Sequence, residues 1–160
     1  METDDIGDLT VTDYRALGNF RSQIRRFLYF SEQAAQAEGL EPQQHQFLLA
    51  IRAADDAHGP TVGTLANRLF IRHHSACGLA DRLEESGLVE RVRGEADRRL
   101  VRIRLTPQGA EKLKRLSRAH REELSTSGPL LVDALRALLD RLPRIEDKER
   151  DVSTVEECDS

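Results

Sequence analysis

No stretch of this chain approaches the ~18 consecutive apolar residues that a membrane-spanning helix needs. The first residues, METDDIGDLT, are acidic and lack the apolar core of a secretory signal, so a cytoplasmic location is expected. Cysteine is scarce. Cys77 and Cys158 have no metal-ligand spacing, and nothing calls for a disulfide. Aromatic residues make up 4% of the chain, and Tyr14, Phe20, Phe27, Tyr29 and Phe30 crowd into one segment near the start. No internal repeat, nucleophile–base pair, phosphate-cradling glycine loop or metal-ligand cluster is legible. The chain is therefore read as a non-enzyme that needs neither cofactor nor metal.

What is present describes one globular domain: 160 residues, 39% hydrophobic and 32% charged. The net charge of −4 argues at first against a nucleic-acid partner, but its distribution reverses the argument. Glu2, Asp4, Asp5 and Asp8 place −4 in residues 1–8, and seven acids against Lys148 and Arg150 place −5 in 145–160. The body between them carries +5. Local charge governs phosphate binding, so the body is the part to examine. The ends, 1–10 and 145–160, read as solvated acidic tails.

Apolar periodicity divides the body, residues 11–144, into helices and one hairpin. Ala16, Phe20, Ile24, Phe27, Leu28 and Ser31 recur at three- and four-residue steps and predict a helix over about 11–37, stopped at Gly39. Pro42 opens a second helix. Thr61 is placed to cap a short third helix carrying Leu65, Ala66 and Leu69. Phe70, Ile71 and Arg72 form a turn. A fourth helix over about 73–86 holds Ala76, Leu79, Ala80 and Leu83 on one stripe, and Gly87 closes it. A strand from Leu88 to Arg93, a loop at Gly94–Arg98 and an alternating return strand (Val101, Ile103 and Leu105 against Arg102 and Arg104) make a hairpin. Thr106 and Pro107 then start a fifth helix with a basic cluster, Lys112, Lys114, Arg115, Arg118 and Arg121. Gly128 and Pro129 are expected to break it, leaving a sixth helix with Leu131, Leu135, Leu138 and Leu142 on one face.

Helix, tight turn, helix and charged hairpin, over about 42–106, have the parts of a winged helix-turn-helix. The fold class is mainly α with a small β-hairpin wing, flanked by long dimerisation helices at about 11–37 and 107–142. The fourth helix has the buried stripe and polar opposite face that a groove-reading helix needs. His73, His74, Ser75, Cys77, Gly78 and Arg82 are its candidate DNA contacts. Gly78 has two equal readings: close backbone approach to DNA, or a tolerated position. Cys77 is read as a small groove-facing or packed side chain in preference to an oxidant sensor. Arg98 and Arg99 at the tip of the wing, with Arg91, Arg93, Arg102 and Arg104 along its strands, supply charge for phosphates. Asp97 is read as orienting a neighbouring arginine.

The run from Leu65 to Gly109 resembles the MarR family of bacterial transcriptional regulators. Leu65 and Ala66 match its third helix. Leu83, Glu84, Gly87, Leu88, Val89 and Arg91 match the end of its recognition helix and its first wing strand. Asp97 and Arg99 match its D-x-R wing, and Leu105, Thr106 and Gly109 match its L-T-x-x-G. The resemblance covers roughly residues 12–142. It implies a homodimer whose terminal helices interlock, binding near-palindromic double-stranded DNA, and a repressor released by a small phenolic or anionic ligand. Long amphipathic terminal helices, which a monomer would leave exposed, agree with a dimer. The first helix has Tyr14 and Tyr29 but no cysteine, which departs from the oxidation-sensing branch. An effector cavity is expected among the first, second and fifth helices and the DNA lobe, with Phe20, Phe27, Phe30, His45 and Phe47 as liners and Arg21 or Arg25 as anion partner. The bland reading of each aromatic is core or interface. His45, His58 and His120 are read as scattered surface or core residues and not as a zinc site. The alternative function is a winged-helix module that binds protein and no DNA.

Overall fold

The computed structural model describes residues 9–54, 58–93 and 100–141. Five helices and one hairpin follow in order: α1 (Val11–Ala37), α2 (Pro42–Arg52), α3 (Val62–Arg68), α4 (His73–Glu85), β1 (Val89–Arg93), β2 (Val101–Leu105) and α5 (Pro107–Leu139). The chain divides into two compact units, Leu28–Ser125 and the pair Met1–Phe27 with Thr126–Ser160.

The larger unit is built on the expected local signals. At the end of α1, Gly39 takes a positive φ of 70°, and Leu40 N–H donates to the Ala35 carbonyl at 2.9 Å. Pro42 is the first residue of α2 behind a Glu41–Gln44 capping box. Thr61 Oγ1 accepts from Thr64 N–H at 3.1 Å and starts α3. The α4 stripe Ala76, Leu79, Ala80 and Leu83 is fully buried, and it meets Phe47, Leu48, Leu65, Leu88 and Ile103 in one core. A second left-handed glycine, Gly87, turns the chain from α4 into β1.

The hairpin is antiparallel, with Val89 opposite Leu105 and Arg91 opposite Ile103. Paired residues lie on the same face, so Val89, Arg91 and Ile103 share the core side. A bridge from Thr61 to Arg102, with Ile103 N–H donating to Pro60 O at 2.8 Å, ties the hairpin to the start of α3. Thr106 joins three elements at once. Its N–H donates to Leu88 O (3.1 Å), its hydroxyl donates to Gly87 O (2.7 Å), and its Oγ1 accepts from Gly109 N–H (3.1 Å).

In the smaller unit, Thr10 and Asp13 cap α1 reciprocally, and Asp13 pairs with Arg141 at 3.5 Å. Hydrogen bonds from Thr10, with the Arg141 guanidinium beside it, hold the Asp13 carboxyl below its ordinary range. Leu17 of α1 and Leu130, Val132, Leu135 and Leu139 of α5 are exposed.

One expectation is overturned. Gly128 and Pro129 do not separate two helices, and α5 runs through them for 33 residues. Pro129 has no N–H to offer the Ser125 carbonyl, an interior defect of ~3 kcal/mol. Ser127 and Ala134, on either side of it, are buried, so packing holds the turns that local propensity would open. Leu142 and Pro143 lie outside the described residues.

Candidate nucleic-acid interface

The four residues of the buried stripe fix α4 to the core and turn its opposite face outward. His73, His74 and Ser75, in its first turn, are all exposed. Cys77 and Gly78 are half-buried one turn later. Cys77 Sγ lies 3.5 Å from His73 Nδ1, one helical turn back. Arg82 is exposed and reaches 3.9 Å towards Glu41. A methyl group on Gly78 would meet no atom nearer than the Arg82 Nη1 at 3.6 Å, so this face is open. The fold therefore presents all six α4 candidates on one side. Arg98 and Arg99, with Asp97, lie outside the described residues.

The strand arginines divide differently from the sequence expectation. Arg91, read as a phosphate contact, points to the core side and is held by two carboxylates of α4: Asp81 at 2.5 Å and Glu84. Burial alone would lower the Arg91 pKa, but its bonds to Asp81 and Glu84 outweigh that and raise it. Arg102 Nη1 donates to Gly59 O at 2.7 Å and Arg104 Nε to His58 O at 3.0 Å. These three guanidiniums fasten the wing to α4 and to the loop before α3. The pairing register carried the signal for Arg91, since it stands two residues after the buried Val89.

The effector candidates are divided between the two units. Phe20, Arg21, Arg25 and Phe27 belong to the smaller unit, and Phe30, His45 and Phe47 to the larger. Phe47 is wholly buried core. His45 is 3% exposed and its ring centroid is 4.8 Å from that of His120. His120 Nδ1 is 2.7 Å from Leu116 O and its Nε2 is 2.9 Å from Ser31 Oγ. Phe30 meets the same imidazole edge-on. His45 Nδ1 is buried without a hydrogen-bond partner. Burial, with a smaller repulsion from His120, lowers the His45 pKa to about 4. His58 is exposed in the loop before α3, and no three metal-binding side chains cluster among the described residues. A cleft of about 430 Å³ in the larger unit has a floor of Leu28, Pro42, Leu69, Ile71 and Leu79, and Arg68 and Glu32 also line it. None of the effector candidates lines it. No described helix is long and apolar enough to cross a membrane.

Comparison with known proteins agrees with this geometry. Residues 38–100 match a model described as MarR family. The transcriptional activatory protein BadR of Rhodopseudomonas palustris is 38% identical over 76 residues, 48% of this chain and 43% of BadR. The chain thus spans less than half the length of that relative. The fold is shared with AbsC, a MarR family transcriptional regulator of Streptomyces coelicolor (TM-score 0.63, 21% identity, covering 91% of this chain and 90% of AbsC). It is also shared with an S. aureus MepR mutant bound to an oligodeoxyribonucleotide (TM-score 0.56, 18% identity, covering 85% and 90%).

Proposed function

From the match of residues 38–100 to the MarR family model and the similarity to BadR, we propose that this chain is a MarR-family, sequence-specific DNA-binding transcriptional regulator. The observation that carries the reading is the outward face of α4, with His73, His74 and Ser75 exposed in its first turn over a buried stripe. The N-terminal turn of such a helix is where base contacts originate, and its free N–H groups favour phosphate. Arg98 and Arg99 are assigned to phosphates beside the groove. The MepR mutant of the same fold is bound to an oligodeoxyribonucleotide, which supports a DNA partner here.

The active form is proposed to be a homodimer on a near-palindromic operator. Support comes from Leu17, Leu130, Leu135 and Leu139, exposed on the smaller unit. Two-fold symmetry then sets the half-sites about one helical turn apart. Repression, with release by a small ligand, is the mode we assign.

The test is binding-site selection from random duplex, followed by anisotropy titration at several salt concentrations. His74→Ala and Ser75→Ala are expected to flatten base preference at particular positions. Arg99→Ala is expected to weaken all sequences alike and to reduce the salt slope by ~1. An unchanged ranking of half-site mutants in both α4 variants would remove α4 as the reader.

Gly78→Ala separates two quantities. Stability is expected to rise by ~1 kcal/mol, since alanine is the better helix former and the space is open. Operator affinity is expected to fall, because the added methyl stands between backbone and groove. A rise in melting temperature with unchanged affinity would assign Gly78 no part in DNA contact.

A further inference from the structure

Among the described residues, Phe70 is the one non-glycine with a positive φ, 53°. It stands just past the end of α3, where its N–H donates to Asn67 O (3.2 Å) and the N–H of Ile71 donates to Ala66 O (3.0 Å). This left-handed position is ordinarily taken by glycine or asparagine, and a bulky ring there is strained. The core does not compensate. Leu69 and Ile71 pack against it, while Phe70 is 96% exposed. The fold therefore needs the two flanking residues and the turn, but not this side chain.

Its surroundings indicate the partner. Arg68, Arg72, His73 and His74 are all exposed around the turn, and α4 begins three residues later. In a helix-turn-helix the first helix crosses the DNA backbone and the second enters the groove, so the connecting turn lies beside the duplex. A duplex offers phosphates to the cations and apolar faces, thymine methyl or deoxyribose, to a ring. We propose that Phe70 is a DNA-contact residue that packs an apolar face of the duplex at the edge of each half-site. The proposal rests on the DNA-binding reading above.

Phe70→Gly and Phe70→Asn both suit the left-handed turn and both remove the ring. In the full-length protein each is expected to melt at or above the wild-type temperature. Each is expected to bind the selected operator at least fivefold more weakly, with an unchanged salt slope because no charge is lost. Replacing operator thymines singly by deoxyuridine identifies the face. A matching loss at one position, not deepened by Phe70→Gly, assigns the thymine methyl. No loss at any position, with the Phe70 variants still weak, assigns the deoxyribose. Wild-type affinity in both variants would overturn the proposal and leave the DNA-binding reading intact. A wild-type protein that binds no duplex would overturn both.

Discussion

Gly109→Ala is expected to lower the unfolding free energy by about 3 kcal/mol, near the top of the usual range for overpacking. The Cβ would lie 2.9 Å from the Leu88 carbonyl carbon and inside the contact distance of its oxygen. That oxygen also accepts the Thr106 N–H, so it cannot retreat freely. Either α5 moves off the end of α4 or the first wing strand does. The clash is with backbone, and no rotamer change relieves it. For a chain of this size the loss corresponds to a fall in melting temperature of about 6–12 °C. Thermal and urea denaturation both measure it. Operator affinity should fall as well, because the bonds of Thr106 set the wing against α4. A melting temperature within a degree of wild type would mean that Gly109 is not a packing requirement. Gly78→Ala, the same change on an open helix face, should move stability the other way.

Acidification is expected to destabilise the larger unit through His45. Its pKa is lowered from 6.5 to about 4 in the folded protein, so the unfolded chain binds the proton more readily. The stabilisation is therefore fully present above pH 6.5 and is lost as the pH falls towards 4, at which point the imidazole charges in the fold as well. The full shift corresponds to about 3 kcal/mol. The cause is geometric: the ring is buried against His120, and Nδ1 has no hydrogen-bond partner to support a cation. Urea titrations between pH 7.5 and 4.5 should show stability declining. His45→Leu should flatten most of that decline while keeping the helical circular dichroism. An equally steep decline in His45→Leu would place the acid sensitivity elsewhere, with Asp13 and Glu38 next in order. The carboxyl of Glu38 is held below its ordinary range chiefly by hydrogen bonds from Arg115, and the pairing should fail only at lower pH.

Most of the larger unit was legible along the chain. Thr61, Pro42, Gly39 and Gly87 act within a few residues of themselves, and caps and left-handed turns are local chemistry. The α4 stripe was legible because a 3.6-residue period needs no partner to be seen. The outward face of α4 followed as its complement. The effector candidates were less legible. Aromatic content does not say which rings are buried, and Phe47 is wholly buried core. The exposed strain at Phe70 had only a faint signal, an aromatic where a helix-ending turn favours glycine.

By itself, the sequence determined the order of elements as far as the start of α5, the buried stripe of α4 and the partition of charge along the chain. Each of these depends on neighbours within about two helical turns. Only the tertiary structure decided that Arg91 serves the fold, because its carboxylate partners come from α4 across the turn. It also decided that Pro129 lies within one helix, because buried turns on either side outweigh one missing hydrogen bond. His45 and His120 are separated by 75 positions, and no period or cap connects them. Their pairing, and the acid sensitivity expected from it, exist only once α2 and α5 pack.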